Sequence, residues 1–85
     1  MRRLVLVGKP DCGLCKELRE AAEAVAPGLG LTVEDVDVGE DAELERRYLF
    51  EIPVLLLGTH EVARHRATRE ELRERLTQLL GGADG

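Results

Sequence analysis

The only two cysteines of this 85-residue chain, Cys12 and Cys15, lie three positions apart at the point where an apolar strand pattern gives way to a helical one. The run from Leu4 to Val7 is typical of a short strand that is buried on both faces. From Leu14 to Val25, apolar residues recur at helical spacing. The sequence therefore predicts that both thiols lie at the junction between the first strand and the first helix.

Strands and helices alternate along the rest of the chain, without an internal repeat or a low-complexity linker. The patterns predict further strands over residues 31–38, 52–58 and 60–67, a short helix within residues 40–50, and a last helix that begins near Thr68. Thr68 and Glu71 have the spacing of a capping box for that helix. We therefore predict an α/β fold of order βαβ-α-ββα, with a four-stranded mixed sheet flanked by helices.

Length and charge limit the classes of protein to consider. A chain of 85 residues leaves little room for a second core, so we expect one domain over residues 1–82 and a short tail over residues 83–85. The net charge of −5 argues against nucleic acid or an anionic membrane as a partner. The run Leu4–Val7 is too short for a secretion signal or a membrane span, and two cysteines exclude a multi-disulfide scaffold. We expect a cytoplasmic monomer.

The predicted position of the cysteines favours redox chemistry. The unpaired N–H groups and the aligned peptide dipoles at the start of a helix stabilise a thiolate, which is the form of cysteine that attacks disulfides. Lys9 and Lys16 act in the same direction, whereas Asp11 opposes them. The two-residue gap allows Cys12 to lie at the mouth of the helix and Cys15 one turn inside. We therefore expect Cys12 to attack a substrate and Cys15 to resolve the mixed disulfide.

At these residues the chain resembles the glutaredoxins of the thioredoxin superfamily, and most of all the short glutaredoxin-like proteins. The resemblance covers almost the whole chain and depends on Lys9, on Cys12-Gly13-Leu14-Cys15, on Ile52-Pro53-Val54 and on the ββα ending. It implies a thioredoxin-like fold and a dithiol oxidoreductase in which Cys12 and Cys15 are catalytic. It also implies that Pro53 is cis and lies against the redox motif, with the backbone of Ile52 and the basic Lys9 binding the substrate.

The resemblance further implies the partners of the reaction. These are protein or mixed disulfides as substrates and a reducing system, either glutathione or a thioredoxin reductase, with no organic cofactor and no metal. The sequence departs from the glutaredoxin pattern between the cysteines, where Gly13 and Leu14 replace the usual proline and tyrosine. Only fragments of the glutathione-binding residues remain, near Gly58-Thr59-His60-Glu61. These departures disfavour glutathione as the physiological reductant, and glutathione stays a candidate co-substrate only.

Four alternatives stay open beside the redox pair. In the first, the chain carries an iron–sulfur cluster between two subunits, because its Cys-Gly-Leu-Cys motif partly matches that of glutaredoxins that do so. In the second, the chain is a partner-binding module without turnover. In the third, both cysteines are buried and inert. In the fourth, they bind zinc together with His60 and His65. A strand would point those histidines to opposite faces, which disfavours zinc. If Glu51 lies near the thiols, its charge would raise a thiol pKa or repel the carboxylates of glutathione.

Overall fold

The computed structural model describes residues 2–81, which form a four-stranded mixed sheet with helices on both faces. The strands are β1 (Arg2–Gly8), β2 (Leu31–Asp37), β3 (Val54–Leu57) and β4 (His60–Arg64), and the helices are α1 (Gly13–Val25), α2 (Ala42–Tyr48) and α3 (Arg69–Gly81). The strand order is β2-β1-β3-β4. β1 is parallel to β2 and antiparallel to β3, and β3 is antiparallel to β4. The predicted order of elements and the mixed sheet are confirmed.

Several strand boundaries differ from the predicted ones; β4, for example, ends at Arg64 rather than at residue 67. Two of the differences have a local reason. β3 begins at Val54 rather than at residue 52, and Pro53 directly before it has no N–H to donate to a neighbouring strand. β2 ends at Asp37, whose side chain accepts a hydrogen bond of 2.8 Å from the Gly39 N–H and begins a short 3₁₀ turn. The boundary predicted between a domain ending at residue 82 and a tail over residues 83–85 lies outside the described residues.

The core lies on both faces of the sheet, because successive strand residues point to opposite sides. On one face, strand residues such as Leu4 and Leu55 pack with Leu18 of α1 and Leu72 of α3. On the other face, a smaller group packs against α2; its buried members are Val7, Val38, Val54 and Leu56, and the side chains of Val5, Leu44, Tyr48 and Ile52 pack against them. β1 therefore has apolar contacts on both faces, as its sequence predicts. This arrangement fixes α1 against the sheet and directs its N-terminus to the end of β1.

The helix starts are held by side chains that cap them. The Thr68 N–H donates to Glu71 Oε1 at 2.9 Å, and the Glu71 N–H donates to Thr68 Oγ1 at 3.1 Å, so the predicted capping box is confirmed. Asp41 caps α2 by accepting from the N–H groups of Glu43 and Leu44. Within residues 2–81, no helix is both long enough and apolar enough to cross a membrane.

Candidate active site

Cys12 and Cys15 lie at the N-terminus of α1 and form a disulfide. Cys12 is the N-cap residue, with an extended backbone, and Cys15 lies in the first turn of the helix. The two Cα atoms are 5.2 Å apart, within the usual range for a disulfide. Cys15 is buried, with 6% of its surface exposed, whereas Cys12 is half-buried. Solvent therefore reaches the first sulfur more readily than the second.

The start of the helix directs N–H groups at Cys12. The Cys15 N–H donates a hydrogen bond to Cys12 Sγ at 3.2 Å. The Lys16 N–H donates to the Cys12 carbonyl at 3.1 Å, which forms the first hydrogen bond of the helix. Cys12 Sγ thus occupies the place where a serine or aspartate oxygen caps many helices, and negative charge is favoured there.

Gly8, at the end of β1, makes room for the second sulfur. A Cβ on Gly8 would lie 3.0 Å from Cys15 Sγ and 3.2 Å from Cys15 Cβ, closer than most Cβ atoms pack against their neighbours. This role of Gly8 was not predicted from the sequence. A pattern that could have indicated it is a glycine at the end of a buried strand, directly before the cysteine motif. A glycine in a strand often marks a place where another group approaches the backbone closely.

A cleft of about 680 Å³ opens beside Cys12 on the β2 side of the sheet. The loop between β1 and α1 lines one wall with Lys9, Pro10 and Asp11, and the end of β2 and the turn after it line the other with Asp35, Asp37 and Glu40. Arg19 of α1 also lines the cleft and pairs with Asp35 at 3.2 Å. The cleft brings together three of the predicted residues, Lys9, Cys12 and Cys15.

Ile52 and Pro53 precede β3, on the opposite side of β1 from β2, and they do not line this cleft. Val54 pairs with Val7, so the next residues outward on the two antiparallel strands are Pro53 and Gly8. Pro53 is buried, and the peptide bond before it is cis, as the family resemblance implies. The Pro53 carbonyl accepts a hydrogen bond of 2.7 Å from the His65 N–H, which fixes the loop to the end of β4.

Glu51 is held by β4 and does not line the cleft. Arg64 Nη1 lies 2.6 Å from Glu51 Oε2, and Arg64 Nη2 lies 2.6 Å from Glu61 Oε1. The hydrogen bond with Arg64 lowers the pKa of Glu61, and the same bond is the main cause of the raised pKa of Arg64. The sequence analysis considered Glu51 but missed Arg64. No pattern signals this pair, because its members lie 13 positions apart and meet only through the fold.

The two histidines lie near each other in sequence but in different local structures. His60 begins β4, whereas His65 follows the last residue of that strand with a backbone φ of 64°. The zinc alternative placed both on one strand, and that placement is wrong for His65. Among residues 2–81, no group of three or more histidine, cysteine, aspartate or glutamate side chains is arranged to hold a metal ion.

The sheet order, the helices on both faces and the disulfide at the start of α1 define a protein of the thioredoxin superfamily. The family model of the glutaredoxin-like domain (DUF836) matches residues 3–77. The chain therefore belongs to this glutaredoxin-like family. No curated protein matches the sequence.

Solved structures have the same fold. The X-ray structure of XcR50, a structural genomics target protein from X. campestris, is 29% identical, with a TM-score of 0.71 over 87% of this chain and 95% of that one. The structure of thioredoxin 1 from the thermophilic eubacterium Thermosipho africanus is 18% identical, with a TM-score of 0.68 over 98% of this chain and 99% of that one. At 18% identity, the second likeness concerns the fold alone.

Proposed function

We propose that this protein is a thiol–disulfide oxidoreductase that reduces protein or mixed disulfides through Cys12 and Cys15. The observation that carries the proposal is the hydrogen bond from the Cys15 N–H to Cys12 Sγ at the N-terminus of α1. After reduction of the disulfide, the same N–H is available to a Cys12 thiolate, and a hydrogen bond to the charged form favours that form. The greater exposure of Cys12 makes it the attacking sulfur.

The proposed reaction proceeds through two exchanges. The Cys12 thiolate attacks one sulfur of the substrate, so that a Cys12–substrate bond forms and the substrate S–S bond breaks. The other substrate sulfur leaves as a thiolate and takes up a proton. Cys15 then loses its proton and attacks Cys12 Sγ, which forms the Cys12–Cys15 bond and releases the second substrate thiol. The substrate gains two electrons and two protons, and the protein dithiol becomes a disulfide.

Three residues beside the cysteines are proposed to bind the substrate. The backbone of Ile52 is the candidate partner for an extended segment around the reacting disulfide, because Ile52 precedes the buried Pro53 at the cysteine end of the sheet. Pro53 packs beneath that segment. Lys9 contributes a positive charge near Cys12, since both residues line the same cleft. A positive charge favours the thiolate of the reduced state.

Each catalytic cycle requires two electrons from a reducing partner. We propose that a thiol reductant or a flavin-dependent thioredoxin reductase returns the disulfide to the dithiol. Glutathione is the thiol candidate. The oxidised protein, incubated with each donor in turn, is followed by counting free thiols. The donor that regenerates two thiols per chain at a useful rate identifies the class of reductant.

Single-cysteine variants test the proposed roles. Cys12→Ser removes the attacking sulfur, so it is expected to abolish disulfide reduction and to form no mixed disulfide. Cys15→Ser keeps the attacking sulfur but removes the resolving one, so it is expected to accumulate a covalent complex with a disulfide peptide. Mass spectrometry of acid-quenched mixtures measures both outcomes.

The wild-type protein is the control for turnover, and the variant lacking both cysteines is the control for nonspecific labelling. A mixed disulfide that forms on Cys15 as readily as on Cys12 would contradict the assignment of roles. Absence of any reduction by the wild-type dithiol would overturn the proposed function itself.

A further inference from the structure

The turn between α2 and β3 exposes two large apolar side chains. Phe50, the only phenylalanine in the chain, has 90% of its surface exposed, and the neighbouring Leu49 has 40%. Among residues 2–81, these are the large hydrophobic residues that lie on the surface rather than in the core. An exposed phenylalanine leaves apolar area in water that burial by a partner would remove.

A backbone hydrogen bond closes the turn that carries these side chains. The Glu51 N–H donates to the Tyr48 carbonyl at 2.8 Å, so Leu49 and Phe50 occupy the two central positions. Glycine, proline, asparagine, aspartate and serine are usual there, because they suit the backbone and the solvent. On both sides the chain is anchored, since Tyr48 and Ile52 pack against the smaller core. The backbone conformation of the turn therefore gives no reason for the two apolar residues, Leu49 and Phe50, at its central positions.

The turn leads directly into the proposed substrate-binding loop. Phe50 lies two residues before Ile52 and three before Pro53. The Arg64 guanidinium holds the intervening Glu51 at 2.6 Å, so the nearest carboxylate is already paired. Arg46 and Arg47, near the end of α2, both pair with Glu43. Each of these charged side chains thus has a partner within the chain, with Glu43 shared between the two arginines, and Phe50 adds an apolar surface beside them.

We propose that Phe50, with Leu49 beside it, is a specificity-determining residue that binds apolar side chains flanking the disulfide of a protein substrate. This inference rests on the proposed function and adds a substrate preference to it. A substrate segment that lies along Ile52 passes the turn with the residues next to its cysteine. An aromatic side chain with two rotatable angles loses little conformational entropy on binding, which suits this role.

A second copy of the chain fits the surface less well. A stable dimer buries about 800 Å² on each partner, whereas one phenylalanine and a partly covered leucine offer a small fraction of that area. A short peptide segment around a disulfide needs only such a small apolar contact, because the covalent intermediate holds it during the reaction.

Single-turnover reduction of matched peptides tests the proposal without a recycling system. Prereduced protein is mixed with disulfide-linked peptides that differ only at the residues flanking cysteine, leucine in one and serine in the other. Bis(2-hydroxyethyl) disulfide serves as a substrate without side chains to recognise. We expect wild-type protein to reduce the leucine peptide about tenfold faster than the serine peptide. In Phe50→Ser that ratio falls close to one, while the rate with the small disulfide is unchanged.

Phe50→Leu is the matched control, because it keeps an apolar side chain at the tip and is expected to retain most of the preference. The high exposure of Phe50 predicts that neither substitution changes the thermal unfolding temperature appreciably. An unchanged ratio in Phe50→Ser, or no preference in wild type, overturns the inference while leaving the oxidoreductase intact. A dimer in sedimentation experiments that Phe50→Ser abolishes overturns it in favour of a self-interface. Failure to reduce even the small disulfide overturns the proposed function and, with it, this inference.

Discussion

Gly8 and Cys15 lie against each other at the junction between the first strand and the first helix. A Cβ atom placed on Gly8 would lie only 3.0 Å from Cys15 Sγ. This contact explains how a helix that carries the Cys12–Cys15 disulfide packs so closely on the end of a buried strand. Because Gly8 has no side chain, Cys15 Sγ fits against the end of β1.

Gly8→Ala is expected to destabilise the protein by about 1–3 kcal/mol, because the added methyl group meets a sulfur atom in a well-packed site. Gly13→Ala is the matched control: a Cβ there meets no atom within 4 Å, and alanine favours a helix more than glycine does. Denaturant unfolding of the oxidised proteins measures the difference. Equal stability of wild type and Gly8→Ala would show that Cys15 shifts freely, against this account.

The sulfur of Cys12 is expected to react as a thiolate at lower pH than an ordinary thiol. Cys15→Ser leaves one sulfur to titrate, and its rate of alkylation by iodoacetamide across a pH series gives the midpoint. We expect a midpoint below about 8.5, the value of a free cysteine, since a helix N-terminus and an N–H group stabilise the anion. A midpoint at or above that of a small thiol measured alongside would contradict the proposed activation.

The capping box of α3 makes stability depend on pH through Glu71. Hydrogen bonds with Thr68 lower the pKa of Glu71 from its ordinary value of 4.5. The bond with the Thr68 backbone N–H has the larger effect, and the bond with the Thr68 side chain has the smaller one. A lowered folded-state pKa gives a stabilisation that is present above the unfolded-state value and is lost as the pH falls through the folded-state value. Glu71→Gln is therefore expected to be less stable than wild type near neutral pH, and the two converge in acid.

Denaturant unfolding at several pH values measures this effect, with Glu70→Gln as a control that leaves both Thr68 hydrogen bonds in place. Thr68→Ala, which removes the acceptor for the Glu71 N–H, is expected to cost about 1 kcal/mol. If the difference between Glu71→Gln and wild type stays constant down to strongly acidic pH, the carboxylate is not the source of the stabilisation.

Anaerobic reconstitution with iron and sulfide separates the redox proposal from a cluster-carrying role. The oxidoreductase proposal predicts a colourless monomer with two titratable thiols per chain. Absorbance spectroscopy, with sedimentation on the same sample, checks this prediction. Visible absorbance that appears together with a dimer, and that Cys12→Ser abolishes, would instead favour a cluster bound between two subunits.

The order of elements followed from the sequence because each signal is local. Apolar runs and helical spacing predicted the strands and helices, and Thr68 and Glu71 predicted their own capping box. The position of Cys12 and Cys15 at the start of α1 followed from the same patterns. The resemblance carried by the cysteine motif and by Pro53 led to the family that the family model confirms.

What the sequence by itself determined was thus the set of elements, the fold class and the location of the dithiol, since residues within a few positions of each other encode these features. Only the tertiary structure decided that Gly8 adjoins Cys15, that Arg64 holds Glu51, and that Phe50 lies exposed beside the proposed substrate-binding loop. The physical reason is that side-chain contact and exposure depend on how distant segments pack in three dimensions. Sheet pairing and helix packing bring those segments together, and no spacing along the chain records the result.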